Sequence, residues 1–283
     1  MTLLVFGQTG QIASELRRLA PDAVFLGRAE ADLTDPAACA AAIATHAATS
    51  VINAAAWTAV DLAEADEAAA TVINSDAPGA MARACADRDV PFVQISTDYV
   101  FAGTGTTAWQ AAGPVAPLSA YGRSKLSGER AVAAAGGPQV ILRTSWVFSA
   151  HGANFLKTML RLGRARDHLR VVADQIGGPT PARSIAAACL TIAARLRDEP
   201  GLSGIQHFAG EPDVSWAAFA RAIMAGAGLA CRIEEIATSD YPTPARRPAN
   251  SRLDCAGLAA FGLQRPDWRA GMTEALTELG AMT

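Results

Sequence analysis

The chain starts with a short, largely apolar run, Thr2 to Phe6, and passes straight into Gly7-Gln8-Thr9-Gly10-Gln11-Ile12-Ala13. An apolar strand that ends on glycine and turns at once into a helix-compatible stretch constrains the fold sharply. Glycine lets the backbone bend tightly and approach a ligand, and the helix that follows presents free N–H groups to an anion. A GxxGxxA string alone is weak. Directly behind an N-terminal strand it points to a dinucleotide pyrophosphate site, the plain alternative being an ordinary glycine turn.

Further apolar runs of strand length follow at Ala23 to Leu26, Ser50 to Ala54, Pro91 to Ser96 and Gln139 to Arg143. Parallel strands buried on both faces read as continuous apolar runs, and the gaps between these have room for crossover helices. The expected fold is therefore α/β, a Rossmann-type doubly wound parallel sheet. Gly136-Gly137-Pro138 should end the helix before the Gln139 strand. After about Trp146 the pattern loosens into short strands (Leu169 to Ala173, Ile205 to Ala209, Arg232 to Ile236) and helices at Pro181 to Arg197 and Ser215 to Ala227. No linker separates two independent units. Residues 1–145 are expected to form the NADP(H)-binding domain, and 146–283 mostly a smaller interleaved substrate lobe with segments returning to the first. The stretch Tyr241 to Pro248 carries Pro242, Pro244 and Pro248, which exclude helix and central strand; a long ordered loop of this kind is often a binding segment.

Composition narrows the class. A hydrophobic fraction of 51% in 283 residues supports a sizeable core, and a net charge of −3 offers no field to gather nucleic acid or an anionic membrane. Cys39, Cys85, Cys189, Cys231 and Cys255 are scattered without a CxxC pair, which reads as reduced thiols. Thr2 to Phe6 is too short for a signal peptide or a membrane span. The expected location is the cytoplasm.

The second strand ends Leu26-Gly27-Arg28, where the usual dinucleotide fingerprint has an acidic residue for the ribose. An arginine there suits a 2′-phosphate and hence NADP(H); the other reading of Arg28 is a solvated surface charge. Asp32-Leu33 is placed to meet the adenine, and the small Ala54, Ala55 and Ala56 leave room over the strand ends.

The chemistry points to two further segments. Ser96-Thr97-Asp98-Tyr99 ends a strand, and Tyr121-Gly122-Arg123-Ser124-Lys125 opens a helix. Tyr121 and Lys125, four residues apart, share a helical face. A nearby ammonium should lower the phenol's pKa from about 10 and prepare it to protonate a carbonyl oxygen. Thr97, at the carboxyl edge of its strand, can donate a second hydrogen bond there. YxxxK strings are common, and each could be a packed tyrosine with a solvated lysine. Here the glycine loop, the Ser-Thr strand end and the Tyr-Lys pair occur together and in order.

These residues resemble the extended short-chain dehydrogenase/reductases, and among them the dTDP-4-dehydrorhamnose reductase family. The likeness spans essentially the whole chain: GQTGQI at Gly7, NAAAWTAVDLAE from Asn53, STDYVFAGTG from Ser96, YGRSKLSGE from Tyr121, RTSWVF from Arg143, NFLKTMLRL from Asn154, VADQIGGPT from Val172 and YPTPARRPANSRL from Tyr241. The resemblance implies reduction of a dTDP-linked 4-keto sugar by NADPH, with NADH as a possible second donor. It makes Thr97, Tyr121 and Lys125 catalytic. It assigns cofactor contacts to Gly7, Thr9, Gly10, Gln11, Ile12, Arg28, Asp32, Leu33, Ala54, Ala55, Ala56, Tyr121 and Lys125. It assigns sugar contacts to Thr97, Asp98 and Trp146; the other reading of Trp146 is a core aromatic. Asn154, Lys157, Arg246 and Arg247 are candidates for the dTDP diphosphate, against a plain solubility role.

Some relatives form a homodimer around a magnesium ion held by three glutamates. Glu15 and Glu278 match two of those positions, but the third is Arg183, so no structural metal is expected, and the chain is expected to be a monomer or a weak homodimer. Two rival readings remain. One is another nucleotide-sugar epimerase, dehydratase or reductase. The other is a non-catalytic NADP-binding regulatory subunit of methionine adenosyltransferase.

Overall fold

The structure is a computed structural model that describes residues 2–282. Its centre is a six-stranded sheet built on β1 (Leu3–Phe6), β2 (Val24–Leu26), β3 (Ser50–Asn53), β4 (Phe92–Thr97) and β5 (Gln139–Thr144). The sixth strand, Gly204–His207, comes from the second half of the chain and pairs with the outer side of β5. Across the sheet the order is Gly204–His207, β5, β4, β3, β1, β2, and every pairing is parallel.

Alternation along the strands divides the core in two. Leu4, Phe6, Val51, Phe92 and Ile141 pack on one face against Cys39, Ile43, Met81, Cys85 and Val132 of the helices Pro36–Thr45, Ala77–Ala86 and Ala120–Ala135. Their neighbours Val5, Ile52, Val93, Val140 and Leu142 face the other way, onto Leu16 of α1 (Gln11–Leu19) and onto Ile185, Cys189 and Ile192 of Ala182–Asp198. Burial on both faces explains the unbroken apolar runs. It also explains why the second half returns: its helix Ala182–Asp198 and strand Gly204–His207 cover parts of this sheet that the first half leaves open. The doubly wound sheet and the interleaved lobe expected from sequence are therefore both present, with strand limits shifted by a residue or two.

The smaller lobe sets the parallel strands His168–Val172 and Arg232–Ile236 against the helices Phe155–Ala165, Trp216–Gly226 and Trp268–Glu278, around Phe148, Leu156, Phe219, Ile223 and Leu276. Between the lobes lies a small sheet of Ile176–Gly177, Val214–Ser215 and Asn250–Ser251. From Tyr241 to Pro248 there is neither helix nor strand, as its prolines require. All five cysteines are buried and free. Among the described residues no helix is long and apolar enough to cross a membrane.

One feature of the fold is absent from the periodicity. Between the helices Glu67–Thr71 and Ala77–Ala86 the chain widens into a π turn, Val72–Asp76. The widened turn pushes Asn74 toward Ala120–Ala135, where a Cβ on Gly128 would collide with its carbonyl. The Asn74 amide donates to the Trp57 carbonyl and to Ser124 Oγ, and its Oδ1 accepts from Trp57 N. The turn thus ties the loop after β3 to the helix that carries Tyr121.

Candidate active site

Strand order reverses between β1 and β3, and ligands of open α/β sheets bind beyond the strand ends at such a point. A cavity of about 930 Å³ lies there. Gly7 has φ +111, and a Cβ on it would stand 3.3 Å from the Ala54 carbonyl, so glycine alone is at ease in this crossing. Gly10 is the extended N-cap of α1 and has no side-chain cap, leaving the first-turn N–H groups of α1 available at the cavity. Thr9, Gln11 and Ile12 line the same end. At the far end, Asp32 and Leu33 border the cavity beyond β2, and Arg28 reaches from the rim with its side chain 77% exposed, 3.1 Å from Asp32. Ala54, Ala55 and Ala56 form a low floor. A glycine crossing, an uncapped helix start and a rim arginine fit a phosphorylated dinucleotide.

The middle of the cavity holds Thr97, Asp98, Tyr121 and Lys125. Thr97 is the last residue of β4, and Ser119 caps the helix Ala120–Ala135 by accepting from Gly122 N, so Tyr121 and Lys125 sit in its first turns. Glu64 also accepts from Ala120 N at 2.8 Å, anchoring the helix start to the segment after β3. Lys125 is 4% exposed and donates to the Ile95 carbonyl at 2.7 Å. Burial lowers its pKa to about 8, and the carboxylate of Glu129 one turn on works against that. Tyr121 is 9% exposed, and burial pushes its phenol above the ordinary value; the Thr97 hydroxyl pulls the other way. The sequence suggested a phenol lowered by Lys125. In the structure burial dominates, and Lys125 donates its ammonium to a strand carbonyl. Tyr99 packs edge-on against Tyr121 at 5.4 Å.

Two buried acids shape the surroundings. Asp98 is 2% exposed and accepts from Thr97 at 3.1 Å, while its Oδ2 has no hydrogen-bond partner. Burial raises its pKa to about 6 against the pull of the nearby Ser251 and Thr97 hydroxyls. Glu129, 3% exposed, accepts from Ser96 Oγ at 2.6 Å and from Arg143 at 2.6 and 2.8 Å. This buried pair joins the helix Ala120–Ala135 to β4 and β5.

The substrate-side candidates divide. Trp146 lines the cavity in a left-handed backbone conformation, φ +51. Asn154 also borders it, but its amide is committed to the protein: Nδ2 donates to Gln11, Ser149 and His151, and Oδ1 accepts from Lys157 N. Lys157 donates to the Ala150 carbonyl, and Arg246 is exposed. Arg247 stands outside the cavity wall, paired to Asp61 at 2.6 Å, with Nη1 buried and without a partner. Asp61 also accepts from Ala245 N, so it clips the proline-rich segment to the loop after β3. The sequence reading did not single out Asp61, Glu64, Glu129 or Ser251. Only the family likeness around NAAAWTAVDLAE, YGRSKLSGE and YPTPARRPANSRL carried a signal for them.

The magnesium question takes a different form from the one the sequence suggested. Arg183 turns to Glu274, 3.7 Å away, and the third group beside Glu15 and Glu278 is His151. Arg18 reaches into this cluster, 2.7 Å from Glu278 and 3.6 Å from Glu15. Magnesium requires an octahedron of oxygens. Two carboxylates and an imidazole already facing a guanidinium do not fit it.

Comparison with known proteins agrees with this geometry. A family model described as the RmlD substrate binding domain matches residues 1–281. The dTDP-4-dehydrorhamnose reductase of Burkholderia thailandensis is 47% identical, covering 95% of this chain and 96% of that protein. That of Sinorhizobium fredii is 44% identical over 95% of this chain and 94% of its own length. Among solved structures, the dTDP-4-dehydrorhamnose reductase of Bacillus anthracis in complex with NADP superposes with a TM-score of 0.90 at 30% identity, covering 98% of this chain and 99% of that one.

Proposed function

The chain belongs to the RmlD substrate binding domain family, and we propose that it is an NADP(H)-dependent reductase that converts dTDP-4-dehydro-L-rhamnose to dTDP-L-rhamnose. The observation that carries this reading is the grouping of Thr97, Tyr121 and Lys125 in one cavity with the glycine turn at Gly7 and the uncapped start of α1. A regulatory binding protein would have no use for a buried Thr-Tyr-Lys group. An epimerase would consume no cofactor.

Residues 1–145, with the returning strand Gly204–His207, serve as the cofactor half; residues 146–283 supply most of the substrate side. Gly7, Thr9, Gly10, Gln11 and Ile12 would hold the pyrophosphate, Asp32 and Leu33 the adenosine, and Arg28 the 2′-phosphate. Ala54, Ala55 and Ala56 leave room for the ribose and nicotinamide. Bound NADPH supplies the hydride for C4 of the sugar; NADH is the second possible donor.

The protein's own work is proton supply and orientation. The Tyr121 phenol, held above its ordinary pKa by burial, keeps its proton at neutral pH and so enters the reaction as an acid. It gives that proton to the sugar O4 as negative charge develops there. The Thr97 hydroxyl donates a second hydrogen bond to the same oxygen. Lys125, mostly an ammonium at pH 7 with a pKa of about 8, stabilises the phenolate left behind. Asp98 and Trp146 bound the sugar. Arg247, whose fork is half used by Asp61, serves the dTDP diphosphate side, and Asn154, its amide held by the protein, shapes the cavity edge there.

NADPH carrying deuterium at the transferable nicotinamide position tests the reading. Deuterium at C4 of the product sugar, seen by NMR with one NADPH consumed per sugar, is the expected result. Sugar interconversion without cofactor loss would assign the chain to the epimerases instead.

A further inference from the structure

Trp146 is a bulky residue in the left-handed region, a conformation that persists only where its surroundings enforce it. Three contacts do so. Its carbonyl accepts from Thr180 N at 3.1 Å. Gly177 leaves space for the indole, since a Cβ there would stand 2.9 Å from Cε2. The Trp216 ring lies flat against it, with centroids 3.6 Å apart and planes 9° from parallel.

Trp216 is itself fixed. Its Nε1 donates to Gln175 Oε1 at 3.2 Å, and Gln175 is 7% exposed and donates onward to Thr238 Oγ1 at 3.0 Å. Phe155 tilts against its ring at 4.5 Å. Ser215, just before it, pairs antiparallel with Ile176, so backbone and indole are both tied to the Gln175–Gly177 segment. Trp146 lines the cavity and Trp216 does not.

We propose that Trp216, oriented by Gln175, is a positioning residue of this enzyme: it fixes the Trp146 indole as the wall against which the sugar of the substrate is set. This rests on the reading that Trp146 meets the sugar. One indole face is taken by Trp216, so the cavity side is free for the C–H and methyl groups of a 6-deoxy sugar. The VADQIGGPT segment then gains a physical role. Gln175 holds the supporting ring, Gly177 admits the supported one, and neither has to touch substrate.

Two measurements test this on the full-length protein. The first is the far-UV circular dichroism couplet that two stacked indoles produce. It is expected in the wild type and lost in both Trp216→Ala and Trp146→Ala. The second is steady-state reduction of the keto sugar. Trp216→Ala should raise the sugar KM roughly two- to ten-fold, the worth of one well-placed aromatic pair, with kcat within about twofold. Gln175→Ala keeps both rings and should give a smaller rise with a weakened couplet, which guards against misfolding of the tryptophan variant. An unchanged KM for NADPH marks an intact fold.

Positioning requires that the effect vanish once Trp146 is gone, so Trp216→Ala should add nothing in a Trp146→Ala background. An equal rise in both backgrounds, or an unchanged sugar KM after the couplet is lost, would overturn the proposal. Reduction by a wild type that lacks the couplet would overturn it alone. A wild type that shows the couplet but does not consume the keto sugar would remove the substrate reading as well.

Discussion

Asp98 offers a sharp physical test because its carboxylate is buried beside Thr97 without full compensation. It is 2% exposed, its Oδ2 has no hydrogen-bond partner, and burial sets its pKa at about 6. The ordinary value is 3.8, so the folded protein holds this proton more tightly than the unfolded chain does. The contribution to stability is therefore complete below the unfolded value and is lost as pH rises through about 6. At about 1.4 kcal/mol for each tenfold in proton affinity, the charged side chain destabilises the fold by about 3 kcal/mol at pH 8, and by roughly half that at pH 5. Asp98→Asn removes the charge at nearly constant volume, keeps an acceptor for Thr97, and offers an N–H₂ toward the nearby Ser251 hydroxyl. Urea unfolding should show the variant more stable by about 3 kcal/mol at pH 8, with the gain roughly halved at pH 5 and the m-value unchanged. Turnover should fall at the same time, since the carboxylate is proposed to bound the sugar. A variant no more stable than wild type at pH 8, or a difference that ignores pH, would refute the reasoning.

Other consequences can be checked separately. Tyr121→Phe should lower kcat by roughly 10²- to 10⁴-fold while NADPH still binds, as fluorescence of the reduced nicotinamide would show. Because burial brings Lys125 to about 8, kcat/KM should fall as pH rises above that value; Lys125→Arg, which keeps its charge, should lose that limb of the profile up to about pH 10. Gly128→Ala drives a Cβ into the Asn74 carbonyl of the π turn and should cost about 1–3 kcal/mol in denaturant unfolding. Arg28→Glu should raise the KM for NADPH and leave that for NADH little changed, because only NADPH carries the phosphate that Arg28 is proposed to meet.

The parts of this molecule that were legible in the sequence are those governed by local rules. β1 and the Gly7 turn follow from an apolar run and a glycine at φ +111, and β3 and β5 from burial on both faces. Tyr121 and Lys125 face one cavity because helical spacing puts them there. What stayed hidden depends on contacts between distant residues. Asp61 meets Arg247 across the chain, Arg18 meets Glu278 from the opposite end, and Trp146 finds Trp216 only after the small lobe has folded. The pKa of Tyr121 belongs with these. Spacing suggested a phenol lowered by its lysine, whereas burial, which spacing does not encode, pushes it up. The surroundings of Glu15 and Glu278 were hidden for a similar reason. The resemblance pointed to Arg183 at the third position, and the structure places His151 and Arg18 beside the two glutamates.

NADPH absorbance, followed with dTDP-4-dehydro-L-rhamnose generated in the same cuvette, decides whether the protein is this reductase. Wild-type protein is predicted to oxidise NADPH in proportion to the keto sugar supplied and to yield dTDP-L-rhamnose. Folded protein that binds NADPH but oxidises neither it nor NADH with this sugar would show that it is not.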